Sequence, residues 1–305
     1  RTGVILTVGV GGVFATLRDA INYINTQTYV ETLHTGTYTY VDGGKILTAT
    51  ANISAGVAGR QLFLEHSTDD FLYPIEVTTP GAAEFKPFYP LWGRTAGSLD
   101  FSIISPTKHW VVLLLPGRHE GDGASLTIPK FGGVIRYGRN SPYYEDEPSA
   151  TNTGCILIPA TSQGVVMKGF SMQVSGATRG SCVQLTDVGT DVFTTGQYLE
   201  FEDMGIHSTG ASEDGIWKVS STTNVIDSVK FERIVASGYY DSFYIANAMR
   251  TRYASCEVAA LNSDQDLPQC ISVIGNSLAN SDHRIQDCIL RARNDSTGLS
   301  ASTVA

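Results

Sequence analysis

The sequence is poor in charge. Only 17% of its 305 residues are Asp, Glu, Lys or Arg, and the acidic ones outnumber the basic ones by 30 to 21. That balance argues against nucleic acid as a partner, because phosphate binding needs a concentrated basic surface. Long apolar runs are also missing. The longest, Val111-Val112-Leu113-Leu114-Leu115, is ended at once by Pro116-Gly117, far short of the roughly 18 residues of a membrane helix, so no membrane insertion is expected. The five cysteines (Cys155, Cys182, Cys256, Cys270 and Cys288) include no CxxC pair, and their odd number makes a poor disulfide framework. They read as buried apolar thiols. The six histidines contain no HExxH or HxH pair, so a zinc enzyme is not expected. The start carries no signal-peptide pattern, and the first residue is Arg1, which places the natural terminus upstream as an expectation. Gly9-Val10-Gly11-Gly12 lacks both the GxGxxG spacing and a lysine, and reads as a turn rather than a phosphate loop.

What is present is glycine, 31 residues of it, among short β-prone segments. One helix opens the chain: Phe14, Leu17, Ala20, Ile21 and Ile24 share a face of a 3.6-residue period, with Thr16 and Asp19 as a candidate N-terminal cap. Residues 27–107 alternate polar and apolar positions and include an aromatic, proline-rich stretch, Pro87-Phe88-Tyr89-Pro90-Leu91-Trp92. They read as a β-rich insertion or subdomain between a cap strand and helix (1–26) and the remainder (108–305).

The second half holds an internal repeat. Segments beginning at Met167, Phe201, Phe231, Tyr253 and Ile285 each read apolar-x-x-apolar-x-apolar, with starts 34, 30, 22 and 32 residues apart. A second family interleaves with them, beginning at Cys155, Cys182, Ile216, Phe243 and Cys270. One coil cannot bury its inward side chains, whereas stacked coils make a continuous apolar column. Two interleaved strand families at one period therefore give an all-β chain, a right-handed single-stranded parallel β-helix with at least two sheets per turn.

The segment Val8-Gly9-Val10-Gly11-Gly12-Val13-Phe14-Ala15-Thr16-Leu17-Arg18-Asp19-Ala20-Ile21 resembles the start of the pectin-lyase-like β-helix superfamily. Trp110-Val111-Val112-Leu113-Leu114-Leu115-Pro116-Gly117-Arg118-His119 is similar to the strand and turn of the first coil in bacteriophage tailspikes and fibres. The resemblance covers residues 1–26 and about 108–293, and the insertion departs from it. It implies one of two roles: a virion structural protein (tail spike, tail fibre or head fibre) or a polysaccharide depolymerase or lyase. It also implies a parallel homotrimer at the virion surface, contacting other virion proteins and a host-surface polysaccharide. A secreted bacterial adhesin is a third reading.

Stacked coils align side chains about 4.8 Å apart, so columns outside the core are informative. One column gives Lys168, Glu202, Glu232, Ala254 and Gln286, and its neighbours give Glu200, Lys230, Arg252 and Arg284, then Gly169, Asp203, Arg233, Ser255 and Asp287. Alternating charges read as a solvated ladder. The alternative is that Glu202 and Glu232, one coil apart, form the carboxylate pair of a glycosidase, with one pKa raised by repulsion. Tyr143, Tyr144, Tyr239 and Tyr240 are candidate glycan-stacking residues. No cofactor is expected. Weak Ca²⁺ binding at Asp264 and Asp266 or in the acidic segment Tyr143-Tyr144-Glu145-Asp146-Glu147 is the alternative there.

Overall fold

The computed structural model describes residues 3–40, 47–53, 57–58, 60–66, 72–77, 81–87, 97–147, 153–159, 162, 164–175, 180–185, 198–208, 214–218, 226–227, 229–238, 241–246, 248–249, 251–262, 269–274 and 283–294. The chain winds into a parallel β-helix with three sheets. The first sheet stacks Val4–Val8, Trp110–Leu114, Gly132–Arg136, Val166–Lys168, Leu199–Glu202, Val229–Glu232, Arg252–Ala254 and Arg284–Gln286 in sequence order. The second runs from Arg118–Glu120 through Tyr143–Asp146, Ser171–Val174, Gly205–Ser208, Val235–Gly238 and Glu257–Asn262 to Ile289–Asn294. The third contains Leu126–Thr127, Thr153–Ile158, Gly180–Leu185, Asp214–Lys218, Asp241–Ala246 and Gln269–Ile274.

The registers follow the apolar repeat. Met167, Phe201, Phe231, Tyr253 and Ile285 form one inward column of the first sheet. Met172, Ile206, Ala236, Val258 and Leu290 form one in the second. Ile156, Val183, Phe243 and Ile271 belong to one in the third, with residue 216 in the same register. Phe231 stacks between Phe201 and Tyr253, each ring centroid 5.1 Å away, so the core is a ladder of like on like.

Each repeat segment is two strands rather than one, because the chain turns a corner inside it. The corner residue lies in the left-handed region in five consecutive coils: Gly169 at φ 81°, Asp203 at 53°, Arg233 at 52°, Ser255 at 52° and Asp287 at 54°. Such a conformation costs a non-glycine residue about 1–2 kcal/mol. A ladder of backbone bonds offsets it: in the first four of these coils the corner N–H donates to a carbonyl of the next coil. Gly169 reaches Glu202 and Asp203 reaches Glu232 at 3.0 Å, and Arg233 reaches Ala254 and Ser255 reaches Gln286 at 2.9 Å. The next residue (Phe170, Met204, Ile234, Cys256) then points into the core.

All five cysteines are free thiols. Cys155, Cys182, Ser242 and Cys270 stand in one column where the second sheet bends into the third, and each donates to a carbonyl of the second sheet. Burial pushes the Cys256 thiol up to about 11.

At the N-terminal end, the helix Leu17–Asn25 buries Leu17, Ala20, Ile21 and Ile24 over the first coil. Thr16 caps it, its hydroxyl oxygen accepting from the Asp19 amide at 3.1 Å. Phe14 precedes the helix instead of belonging to its face, in a bridge with Val8. Arg18 ties the cap to the coil through Asp122 at 2.7 Å and the carbonyls of Ala124 and Ser125.

Between this cap and the first full coil lies a closed antiparallel barrel of six strands: Val30–Tyr40, Leu47–Ala49, Glu84–Pro87, Leu72–Glu76, Leu62–His66 and Gly97–Pro106 in spatial order. Tyr38, Phe85 and Phe101 meet in its own core with ring centroids 5.3–5.6 Å apart. It docks on the β-helix through Phe63 on Phe131, 4.8 Å between centroids, and Lys130 on Glu65. Its two ends meet, the Thr107 amide donating to the Tyr29 carbonyl at 2.8 Å.

Tyr253 is fully buried in the aromatic column, and its hydroxyl has no hydrogen-bond partner among the described residues. An unsatisfied buried hydroxyl is costly, so Tyr253→Phe should raise stability by about 1 kcal/mol in urea unfolding. A loss of stability would mean that the hydroxyl is satisfied.

Candidate functional site

Two outward faces carry the candidate side chains. On the first sheet, Glu202 and Glu232 are register partners on neighbouring coils. Cations hold both. Glu202 accepts from Lys168 at 2.7 Å and from the Arg233 guanidinium. Glu232 pairs with Lys230 at 2.6 Å and with Arg233, while Lys230 also reaches Glu200 at 2.7 Å and Arg233 also reaches Asp203. Lys168, then Arg233, holds the Glu202 carboxyl below the usual range, and Lys230 does the same for Glu232. Arg233 lowers Asp203 similarly. A retaining glycosidase needs one carboxyl raised to act as acid. Here both are pushed the other way.

The sign of the pH effect follows. A carboxylate with a depressed folded pKa contributes stability that is present above its unfolded value, about 4, and lost as pH falls through the depressed value. Glu202→Gln should therefore flatten the loss of stability on acidification below about pH 4. At pH 7 it should change stability by less than about 1 kcal/mol, since partly exposed pairs contribute little. Thermal unfolding across a pH series measures both. An unchanged acid limb would show that the ladder is energetically idle.

The second sheet carries a different row, a polar column in which Glu145, Gln173, His207 and Ser237 follow one another in register, with Tyr143 beside it in the adjacent column. Tyr143 is half-buried and its hydroxyl donates to Gln173 Oε1. Gln173 is the register partner of His207, and His207 that of Ser237. His207 Nδ1 lies 2.8 Å from Ser237 Oγ. Burial pushes the His207 pKa below its ordinary 6.5, so the ring is neutral at pH 7. Beside the row, Ser171 and Gly205 form a trough of small residues. A Cβ on Gly205 would sit 2.7 Å from Ser171 Oγ and 3.0 Å from His207 Nε2, so the missing side chain is what lets the imidazole lie flat across the sheet.

Of the four tyrosines singled out from sequence, Tyr143 faces outward on this row. Tyr144, the next residue on the strand, faces inward: it is 2% exposed, and its hydroxyl donates to Asp146 Oδ2 at 3.2 Å inside the coil. It has no face to offer a sugar, which corrects that expectation. Tyr239 and Tyr240 lie outside the described residues, as do Asp264 and Asp266. The acidic segment at Tyr143 and Tyr144 is a strand, Tyr143–Asp146, not a loop, so its carboxylates diverge. Glu145 pairs with Arg118 at 2.7 Å on the outside. Asp146 is buried, accepting from the Gly123 and Glu147 amides at 2.9 Å, and burial raises its pKa. Among the described residues, no group of three or more His, Cys, Asp or Glu side chains converges as a metal site would require.

Sequence reasoning missed Gln173, His207 and Ser237. The signal was there, since each follows the last apolar position of its repeat, but only columns beside the first sheet were compared.

No family model and no curated protein matches the chain. Among solved structures it is similar to the tailspike protein gp49 from Pseudomonas phage LKA1, with a TM-score of 0.32 and 9% identity. The match covers 86% of this chain and 46% of the tailspike. The chain thus spans less than half the length of that protein. The β-helix assignment rests on the strand registers. Among the described residues, no helix is long and apolar enough to cross a membrane.

Proposed function

We propose that this chain is a structural component of a phage-type fibre or spike (tail spike, tail fibre or head fibre) that adheres to a host-surface glycan through the outer face of its second sheet. The observation that carries the reading is the row Tyr143, Gln173, His207 and Ser237. It offers polar groups on successive coils: Gln173, His207 and Ser237 stand in register at the roughly 4.8 Å spacing of a parallel sheet, Glu145 precedes Gln173 in that column, and Tyr143 reaches Gln173 from the adjacent column, where Ser171 and Gly205 keep the face low. Repeating polar groups along a rigid rod suit a polymer of repeating polar units. Adhesion is favoured over depolymerisation because Glu202 and Glu232 are both tied to cations. In this reading the protein sits at the virion surface, beside other virion proteins, as a homotrimer with parallel axes.

The test is a glycan array of bacterial capsular and lipopolysaccharide fragments, with a reducing-end assay on every glycan that binds. Binding without new reducing ends, weakened at least tenfold by Tyr143→Ala, supports the reading. Cleavage abolished by Glu202→Gln or Glu232→Gln would replace it with the depolymerase. Sedimentation at three times the 32.8 kDa chain mass supports the trimer, and a monomer at micromolar concentration overturns it.

A further inference from the structure

The contact between Ser237 and His207 has a property the rest of the polar row lacks. It joins a hydroxyl to an imidazole whose pKa burial lowers. Three features make it a built arrangement. Gly205 sits inside a strand without needing a positive φ, and a residue of any other type there would strike Ser171 and His207, so the glycine serves the position of the imidazole. The ring is half-buried, and its register neighbours are uncharged: Gln173 on one coil and Ser237 on the other. On the far side of Ser237 the register partner is the small Ala259, and Ser237 itself is half-buried rather than enclosed.

We propose that Ser237 and His207 form a nucleophile–base pair that hydrolyses esters, with O-acyl groups on sugar hydroxyls as the substrate class. In the Nε2–H tautomer, the Nδ1 lone pair faces the Ser237 hydroxyl. As Oγ bonds to the acyl carbon, its proton passes to Nδ1. The bond from the acyl carbon to the alcohol oxygen then breaks, and the departing oxygen takes that proton from His207. A water molecule, deprotonated by His207 in its turn, attacks the acyl-serine and releases the carboxylic acid and the free Ser237 hydroxyl. Every atom comes from the ester and one water. His207 depressed below 6.5 remains an available base through the neutral range.

The experiment uses the full chain and two small probes, so its outcome does not depend on whether the protein adheres to a glycan. A fluorophosphonate should label Ser237, located by peptide mass spectrometry, and p-nitrophenyl acetate should be turned over. Ser237→Ala should abolish the label and the turnover. His207→Gln should lower the turnover about a hundredfold, the lower bound for loss of a positioned base. The rate should rise with pH to a plateau, with a midpoint below 6.5. Circular dichroism of both variants should match that of the parent. Label absent from Ser237, turnover unchanged in Ser237→Ala, or equal labelling after heat denaturation would each overturn the proposal.

Discussion

Phe231→Ala should cost the fold about 3–5 kcal/mol, the range for deleting a large buried aromatic side chain. Phe231 is wholly buried, stacked between Phe201 and Tyr253 and met edge-on by Phe243 at 5.0 Å. Neighbouring coils cannot collapse into the space, because their separation is fixed by the hydrogen bonds of three sheets. The control lies in the same column. Ile285 is 53% exposed at the last described coil, so Ile285→Ala should cost less than about 1 kcal/mol, as a mostly exposed apolar side chain contributes little burial. Denaturant unfolding of the two variants side by side measures the difference. Similar losses would mean that the column is not a graded core.

Gly132→Ala should be nearly as damaging. A Cβ there would lie 2.2 Å from two atoms of the Trp110 indole, which fills the space that a side chain at 132 would occupy. Trp110 cannot withdraw, since it is wholly buried and its Nε1 donates to the Lys130 carbonyl at 2.9 Å. Overpacking of this severity falls at or above the upper end of the usual 1–3 kcal/mol, so a loss of about 3 kcal/mol is expected. Coupling is the diagnostic. The double variant Gly132→Ala with Trp110→Leu should be destabilised by clearly less than the sum of the two single changes. Simple additivity would mean that the glycine serves its backbone and not the indole.

The sequence made the column alignment legible because inward positions are few and apolar, and registers in stacked coils leave no freedom once one pair is set. The corners were less legible. A left-handed conformation at Arg233 or Ser255 has no compositional marker, since the bond to the next coil is made by the backbone, whatever the side chain. The interleaved family beginning at Cys155 is the third sheet, whereas a repeat read as one strand merges the second sheet into the first and hides the row it carries. Spacing alone does not separate Tyr143 from Tyr144, which needs the strand phase of Met172. The register Tyr144 with Met172 assigns Tyr144 to the core and leaves Tyr143 outside. The charged column could be assembled from spacing alone, but the pKa directions needed distances: Lys168 and Lys230 within 2.7 Å hold both glutamates below the ordinary carboxylate range.

The meeting of the barrel's two ends bears on how the molecule assembles in time. The first strand of the β-helix, Val4–Val8, pairs with Trp110–Leu114 across about 100 residues of chain. Closing a flexible loop of that length, rather than the roughly 25 residues that lie outside the barrel, spans about two doublings and costs roughly 1.2 kcal/mol more chain entropy. A barrel that closes first removes that cost, because Tyr29 and Thr107 then leave it side by side. The insertion thereby converts the longest-range pairing in the fold into a local one. Substitutions in the barrel core, such as at Tyr38 or Phe101, should accordingly slow the folding of coils they never touch.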